Sequence, residues 1–311
     1  MRRILSIDGG GIRGLLPASF LATLEDAIGE PIVEYFDLIV GTSTGGIIAL
    51  GLGAGLPAAD IRDFYLVHGP SIFSGSRAPR SLRHLAFGKY SAAGLRDALG
   101  DALGGMRLGE SRTRLVVPSV NLENGEVHIY KTAHHPRLER DYKEKMVDVA
   151  LASAAAPTYL PTYRTTGGIP LVDGGLFANN PVGLAVVEAL GVLEWPRSEI
   201  RVLSLGCGAE PLGIGLARRR SMGRVYWAPK IVSVFMSAQS SSSLGTAQLL
   251  AGHENVIRIN PTVASGRFGL DRTSEMTSLR GLGETHARTA LPTLRATFFN
   301  EKAAPFVPER S

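Results

Sequence analysis

Cysteine is almost missing from this chain: Cys207 is the single one among 311 residues. That excludes an internal disulfide and any metal site built on a cysteine cluster. No HExxH helix or Cys/His cluster occurs either, so no cofactor or resident metal is expected. No secretory leader is expected. Arg2 and Arg3 precede an apolar Ile4, Leu5 and Ile7, but Asp8 and three glycines end that run too early. A cytoplasmic protein is the plain expectation. Long uncharged runs are scarce, and the exception is residues 38–59, which carry no charge over a length able to span a bilayer. Six glycines and the polar Thr42-Ser43-Thr44 interrupt it, so a buried strand, a tight turn and a buried helix fit better than a membrane span.

Lysine is rare too, 6 against 27 arginines, and acidic residues vanish from two stretches. Residues 64–96 hold Arg77, Arg80, Arg83, Lys89 and Arg96 with no acid, and residues 211–253 hold Arg218, Arg219, Arg220, Arg224 and Lys230 with none. Solvated basic faces and an anionic partner both account for this, and guanidinium suits bidentate phosphate contacts.

The rest of the composition, 44% apolar and 20% charged, is that of an ordinary globular protein. Residues 3–7 read as a buried strand, and 15–28 as a helix with Leu16, Phe20, Leu24 and Ile28 on one face. A second strand covers 36–40, with a helix from Ser43. Strands at 116–120 and 127–130 flank an Asn124-Gly125 turn. A small-residue helix covers 147–156, a strand ends at 171–172, a helix covers 182–190, and 202–205 is another strand. Strands alternating with helices imply an α/β fold with a mostly parallel sheet covered on both faces. With no repeat or linker, one domain over 1–311 is expected. Residues after about 260 read as loop until a helix at 279–299.

Chemistry concentrates in three places. Gly41-Thr42-Ser43-Thr44-Gly45 is a G-x-S-x-G set after a strand and before a helix, the context of a nucleophile elbow. Gly41 and Gly45 keep the turn tight, and the helix start favours negative charge developing near Ser43. Asp8-Gly9-Gly10-Gly11-Ile12-Arg13-Gly14 exposes backbone N–H groups suited to an oxyanion or a phosphate. Asp173-Gly174-Gly175 follows the strand end Pro170-Leu171-Val172, where α/β folds place ligands. The residues leave the base for Ser43 open. In the chain order of a Ser–Asp–His triad, His253 or His286 would serve, yet none of the seven histidines sits in a marked context.

Together these motifs resemble the patatin-like phospholipases: D-G-G-G-x-R-G at 8–14, G-x-S-x-G at 41–45 and D-G-G at 173–175. Ala152 to Pro157 with Pro161, Asn179-Asn180-Pro181 and Ser204 to Gly208 are also similar to that family, and the likeness runs over residues 3–210. The resemblance implies a three-layer sandwich and a Ser–Asp dyad. Ser43 would be the nucleophile and Asp173 its proton acceptor; Gly9, Gly10 and Gly11 would form the oxyanion hole, with Arg13 assisting. An ordinary Asp, with a pKa of about 3.9, is a poor base at neutral pH, so its surroundings have to compensate. Substrates would be acyl esters of membrane phospholipids, reached by transient docking through the basic stretches and Phe73, Phe87, Tyr90, Tyr226, Trp227 and Phe235. No DNA or RNA partner is implied, and an oligomer is compatible with the sequence. The start is similar to compact bacterial members that a cyclic dinucleotide activates in anti-phage signalling, which would bring an anionic activator. A Ser–His–Asp esterase and a phosphate-binding protein using the 9–11 loop are the competing readings.

Overall fold

The protein is described from a computed structural model that covers residues 1–73, 88–211, 227 and 231–310. Among the described residues eight strands form one sheet: β1 (Arg2–Ile7), β2 (Leu38–Gly41), β3 (Arg114–Asn121), β4 (Val127–Lys131), β5 (Tyr163–Arg164), β6 (Pro170–Asp173), β7 (Ile200–Leu205) and β8 (Val256–Ile259). β3, β2, β1, β7 and β8 run parallel in that order. β4 and β6 join β3 antiparallel, and β5 pairs antiparallel with β6. The helices are α1 (Leu15–Ile28), α2 (Thr44–Gly53), α3 (Ala58–Ile72), α4 (Ala93–Leu103), α5 (Met146–Ser153), α6 (Gly175–Ala178), α7 (Val182–Gly191), α8 (Ile231–Ala251) and α9 (Met276–Thr297).

Alternation along the central strands builds two cores. Leu5, Ile7, Ile39, Leu115, Val117, Leu203 and Leu205 face a core shared with α1 to α5 and α9. Ile4, Leu38, Val40, Val116, Ile200 and Val202 face the other way, onto α7 and α8. Strands buried on both faces need near-continuous apolar runs, which is what the sequence supplies here. The uncharged run 38–59 becomes β2, the elbow, α2 and the start of α3, with every residue of 38–53 buried. Among the described residues no helix is long and apolar enough to cross a membrane.

One feature of the topology places the site. β2 pairs with β3 at Arg114–Val116, and β6 pairs with β3 at Ser119–Asn121, while β4 spans Val116–Val120. β2 and β6 therefore occupy the same edge of β3 and run toward each other, C-terminal end to C-terminal end. Pro118 lies opposite the gap between them. Its carbonyl accepts from the Ser153 hydroxyl at 2.7 Å on that side, so its missing N–H also faces the gap, where no strand calls for a donor.

In the C-terminal third the helix expected at 279–299 is α9, while α8 and β8 go beyond the sequence reading. β8 adds an edge strand beside β7, and α9 packs along α1. The serine run 240–243 lies inside α8, where Ser243 Oγ donates to Asn180 O at 2.7 Å and accepts from Gly183 N at 2.9 Å. Arg77, Arg80, Arg83, Phe87, Arg218, Arg219, Arg220, Arg224, Tyr226 and Lys230 lie outside the described residues.

Candidate active site

Ser43 sits between β2 and α2 with φ 55° and ψ −119°, a left-handed setting that a non-glycine residue adopts only when its surroundings force it. Such a residue stores about 1–3 kcal/mol of backbone strain. The flanking glycines are required by contact. A Cβ on Gly41 would lie 2.1 Å from the Gly45 carbonyl oxygen, and one on Gly45 would lie 2.2 Å from the Ile7 carbonyl oxygen. Ties outside the turn hold it: Thr42 Oγ1 donates to Ala178 O at 2.6 Å, and the Ser43 amide donates to Ser153 Oγ at 3.0 Å. Thr44 Oγ1 meets the buried Tyr65 hydroxyl at 2.6 Å.

Asp173 ends β6 facing the elbow. Ser43 Oγ donates to Asp173 Oδ2 at 2.6 Å, and the Gly175 amide donates to Oδ1 at 2.7 Å. Both side chains are buried, with 8% and 7% of their surface exposed. Burial raises the Asp173 pKa from 3.8 to about 6, and the two hydrogen bonds lower it only in part. A Cβ on Gly174 would strike the Pro118 carbonyl oxygen at 2.2 Å, so the D-G-G turn can approach β3 only as glycine. The C-terminal end of α5 joins the two halves: Ala155 O accepts the Asp173 amide at 3.0 Å, and Ser153 O accepts the Gly174 amide at 3.2 Å.

The glycine loop lies alongside. A Cβ on Gly9 would stand 3.3 Å from Ser43 Cβ, and one on Gly10 would stand 2.6 Å from Cys207 Cβ. Gly11 takes φ +57° against the Leu270 carbonyl. The Gly9 amide is occupied, donating to Asn179 O at 2.9 Å. None of the described residues accepts a hydrogen bond from the Gly10 or Gly11 amide. Helix α2 begins at Thr44, directly after Ser43, and adds its N-terminal dipole.

Residues 5–186 match the profile of the patatin-like phospholipase family. The chain belongs to this family. Among its relatives, the cGAMP-activated phospholipase of Pseudomonas aeruginosa is 39% identical over 77% of this chain and 72% of its own length. The cGAMP-activated phospholipase of Escherichia coli is 30% identical over 98% of this chain and 94% of its own length. Patatin-like protein 4 of Arabidopsis thaliana is 29% identical over 90% of this chain and 82% of its own length. As a patatin-like phospholipase, the chain is a lipid acyl hydrolase.

Ser43, Asp173 and Gly9 to Gly11, the residues the sequence singles out, lie together in this patatin-like site. The Arg13 guanidinium lies 3.5 Å from Glu210. No described histidine hydrogen-bonds Ser43 or Asp173. His134 is buried between Thr132 Oγ1 and Glu188 Oε1 at 2.8 and 2.9 Å. The Asp8 carboxylate, at the head of the glycine loop, is held by Arg258. Among the described residues no group of three His, Cys, Asp or Glu side chains is arranged for a metal ion. Ser153, Tyr65 and Arg258 escaped the sequence reading. Only the Ala-rich run around Ser153 offered a signal, through its likeness to the family.

Proposed function

We propose that this chain cleaves acyl esters of membrane phospholipids through a Ser43–Asp173 dyad, at a cytoplasmic membrane surface, and that a cyclic dinucleotide activates it. The observation that carries the dyad is the 2.6 Å hydrogen bond from Ser43 Oγ to Asp173 Oδ2 between two buried side chains. Ser43 Oγ attacks the ester carbonyl carbon while its proton passes to Asp173. The Gly10 and Gly11 amides donate to the oxyanion, with Gly9 anchoring the loop through Asn179. The carbon–oxygen bond to the glycerol side breaks, and that oxygen takes the proton from Asp173. Water then attacks the acyl-enzyme, gives its proton to Asp173, and Ser43 Oγ leaves and recovers it. A carboxylate with a pKa of about 6 is largely ionised at neutral pH yet a better base than an exposed aspartate.

The surface around the dyad suits a bilayer substrate. Leu176 and Phe177, just after Asp173-Gly174-Gly175, are 42% and 38% exposed. Ile231, Val232 and Phe235 on α8 are 51%, 63% and 52% exposed. Gln239 of α8 donates to Leu176 O at 3.2 Å, which places the two apolar groups on neighbouring elements. Arg218 to Lys230 precede α8 in sequence with no acid among them. Exposed apolar side chains that follow a basic stretch in sequence suit an anionic phospholipid surface. The activator is supported by relatives named cGAMP-activated phospholipase.

The test is fatty-acid release from phospholipid vesicles in chelator, with and without cGAMP, by the parent, Ser43→Ala and Asp173→Asn. Release that falls on the order of 10³-fold or more in both variants is expected. A parent silent under both conditions, or an active Asp173→Asn, contradicts the proposal.

A further inference from the structure

We propose that Arg258 is a positioning residue for the oxyanion loop, acting through Asp8; this rests on the hydrolase reading of the same site. Arg258 lies on the edge strand β8, in register with Ser204 of β7, which is itself in register with Ser6 of β1. Its side chain reaches back across β7. It donates to Ser204 Oγ at 2.8 Å and closes a two-pronged bond on Asp8, to Oδ1 at 2.8 Å and Oδ2 at 2.5 Å. The two side chains are 13% and 6% exposed.

Asp8 is the first residue off the end of β1 and the first of the glycine loop. Fixing its carboxylate fixes the direction in which the chain leaves the sheet toward Gly9, Gly10 and Gly11. The loop is also held by the Asp8 amide on Leu205 O, the Cys207 thiol on Asp8 O, the Gly9 amide on Asn179 O, the Ile12 amide on Leu270 O, and Gly10 packed on Cys207, none of which grips the Asp8 carboxylate. A buried ion pair rarely returns more stability than its desolvation costs, whereas a guanidinium fork fixes orientation as well as charge. Oxyanion donors act only when held to about half an ångström, and losing one costs about 10²–10³ in turnover. Without Arg258, Asp8 would be an unpartnered buried carboxylate and would protonate or move toward water, taking the loop with it.

Two measurements on Arg258→Gln, Arg258→Lys and Asp8→Asn decide this. The first is hydrogen exchange of peptides covering 8–14, with peptides from β2 and β6 as references. The second is steady-state hydrolysis of a short-chain nitrophenyl ester. Exchange over 8–14 is expected to quicken while the references stay at parental rates. The kcat is expected to fall about 10–100-fold with KM within about twofold. Arg258→Lys, which keeps the charge without the fork, should fall between parent and Arg258→Gln. Arg258→Gln combined with Asp8→Asn should lose no more than either alone. Unchanged exchange over 8–14 in a folded variant, or a kcat within about threefold of the parent, overturns the proposal. Should Arg258→Gln not fold, Arg258→Lys carries both readings. A parent without esterase activity both with and without cGAMP defeats the hydrolase reading instead, and the exchange arm still decides whether Arg258 holds the loop.

Discussion

Asp173 has a hydroxyl and an amide for company, and burial outweighs both. At the scale of a residue this sets two opposing consequences. As a base, Asp173 has to be ionised, so kcat/KM should fall as pH drops through about 6. For stability the sign is reversed. The folded-state pKa lies above the unfolded value of 3.8, so the folded protein binds this proton more tightly. The stability contributed by the site is full below about pH 4 and is lost as pH rises through about 6. That loss amounts to about 3 kcal/mol. Asp173→Asn keeps the shape and removes the titration. It should therefore be inactive yet more stable than the parent at pH 8, with the gap closing toward pH 4, as read by denaturant unfolding at each pH. Equal stability of the two proteins at pH 8 would contradict the assigned burial penalty.

At the scale of elements, the site depends on two strands ending head to head on one edge of β3, bridged by α5. Ser153 is the bridge, since its hydroxyl accepts the Ser43 amide and donates to Pro118 O. Ser153→Ala leaves both groups buried without partners, at about 1–3 kcal/mol each. A lowered unfolding midpoint together with a reduced kcat is the expected result; an unchanged midpoint would remove Ser153 from the framework. Much of the local structure was legible in sequence. Helix 15–28 was bounded correctly because Gly14 and Gly29 flank a periodic apolar run. The elbow and the D-G-G turn were legible because close backbone approach admits only glycine. What escaped was non-local. The meeting of β2 and β6 depends on which edge of β3 each one joins, and no short stretch encodes that. The middle of α8 carries serines because Ser240 and Ser243 bond the Asn180 turn and let α8 approach Gly183 closely. Arg258 gives no signal in the sequence because its partner lies 250 residues away.

At the scale of the whole molecule, residues beyond the family match complete the fold, since β8 closes the sheet edge and α9 covers α1. A chain ending at residue 210 should therefore fail to give a cooperative unfolding transition, and a folded fragment would show that the C-terminal third is dispensable. The exposed apolar side chains beside the dyad belong to this scale as well. Phe177→Ser and Phe235→Ser should weaken binding to anionic vesicles while leaving hydrolysis of a soluble ester near parental rates. The preference for anionic over zwitterionic vesicles should shrink as salt rises, because screening shortens the reach of surface charge. Indifference to lipid charge at low salt would contradict electrostatic docking.

The central claim is that Ser43 is activated by Asp173 and by no other side chain, and it is tested most directly by phosphonylation without any lipid. A fluorophosphonate should leave one adduct, mapped to Ser43, at a rate that falls below pH about 6 and drops on the order of 10³-fold or more in Asp173→Asn. Labelling of Asp173→Asn at the parental rate, or an adduct on another residue, would contradict the account.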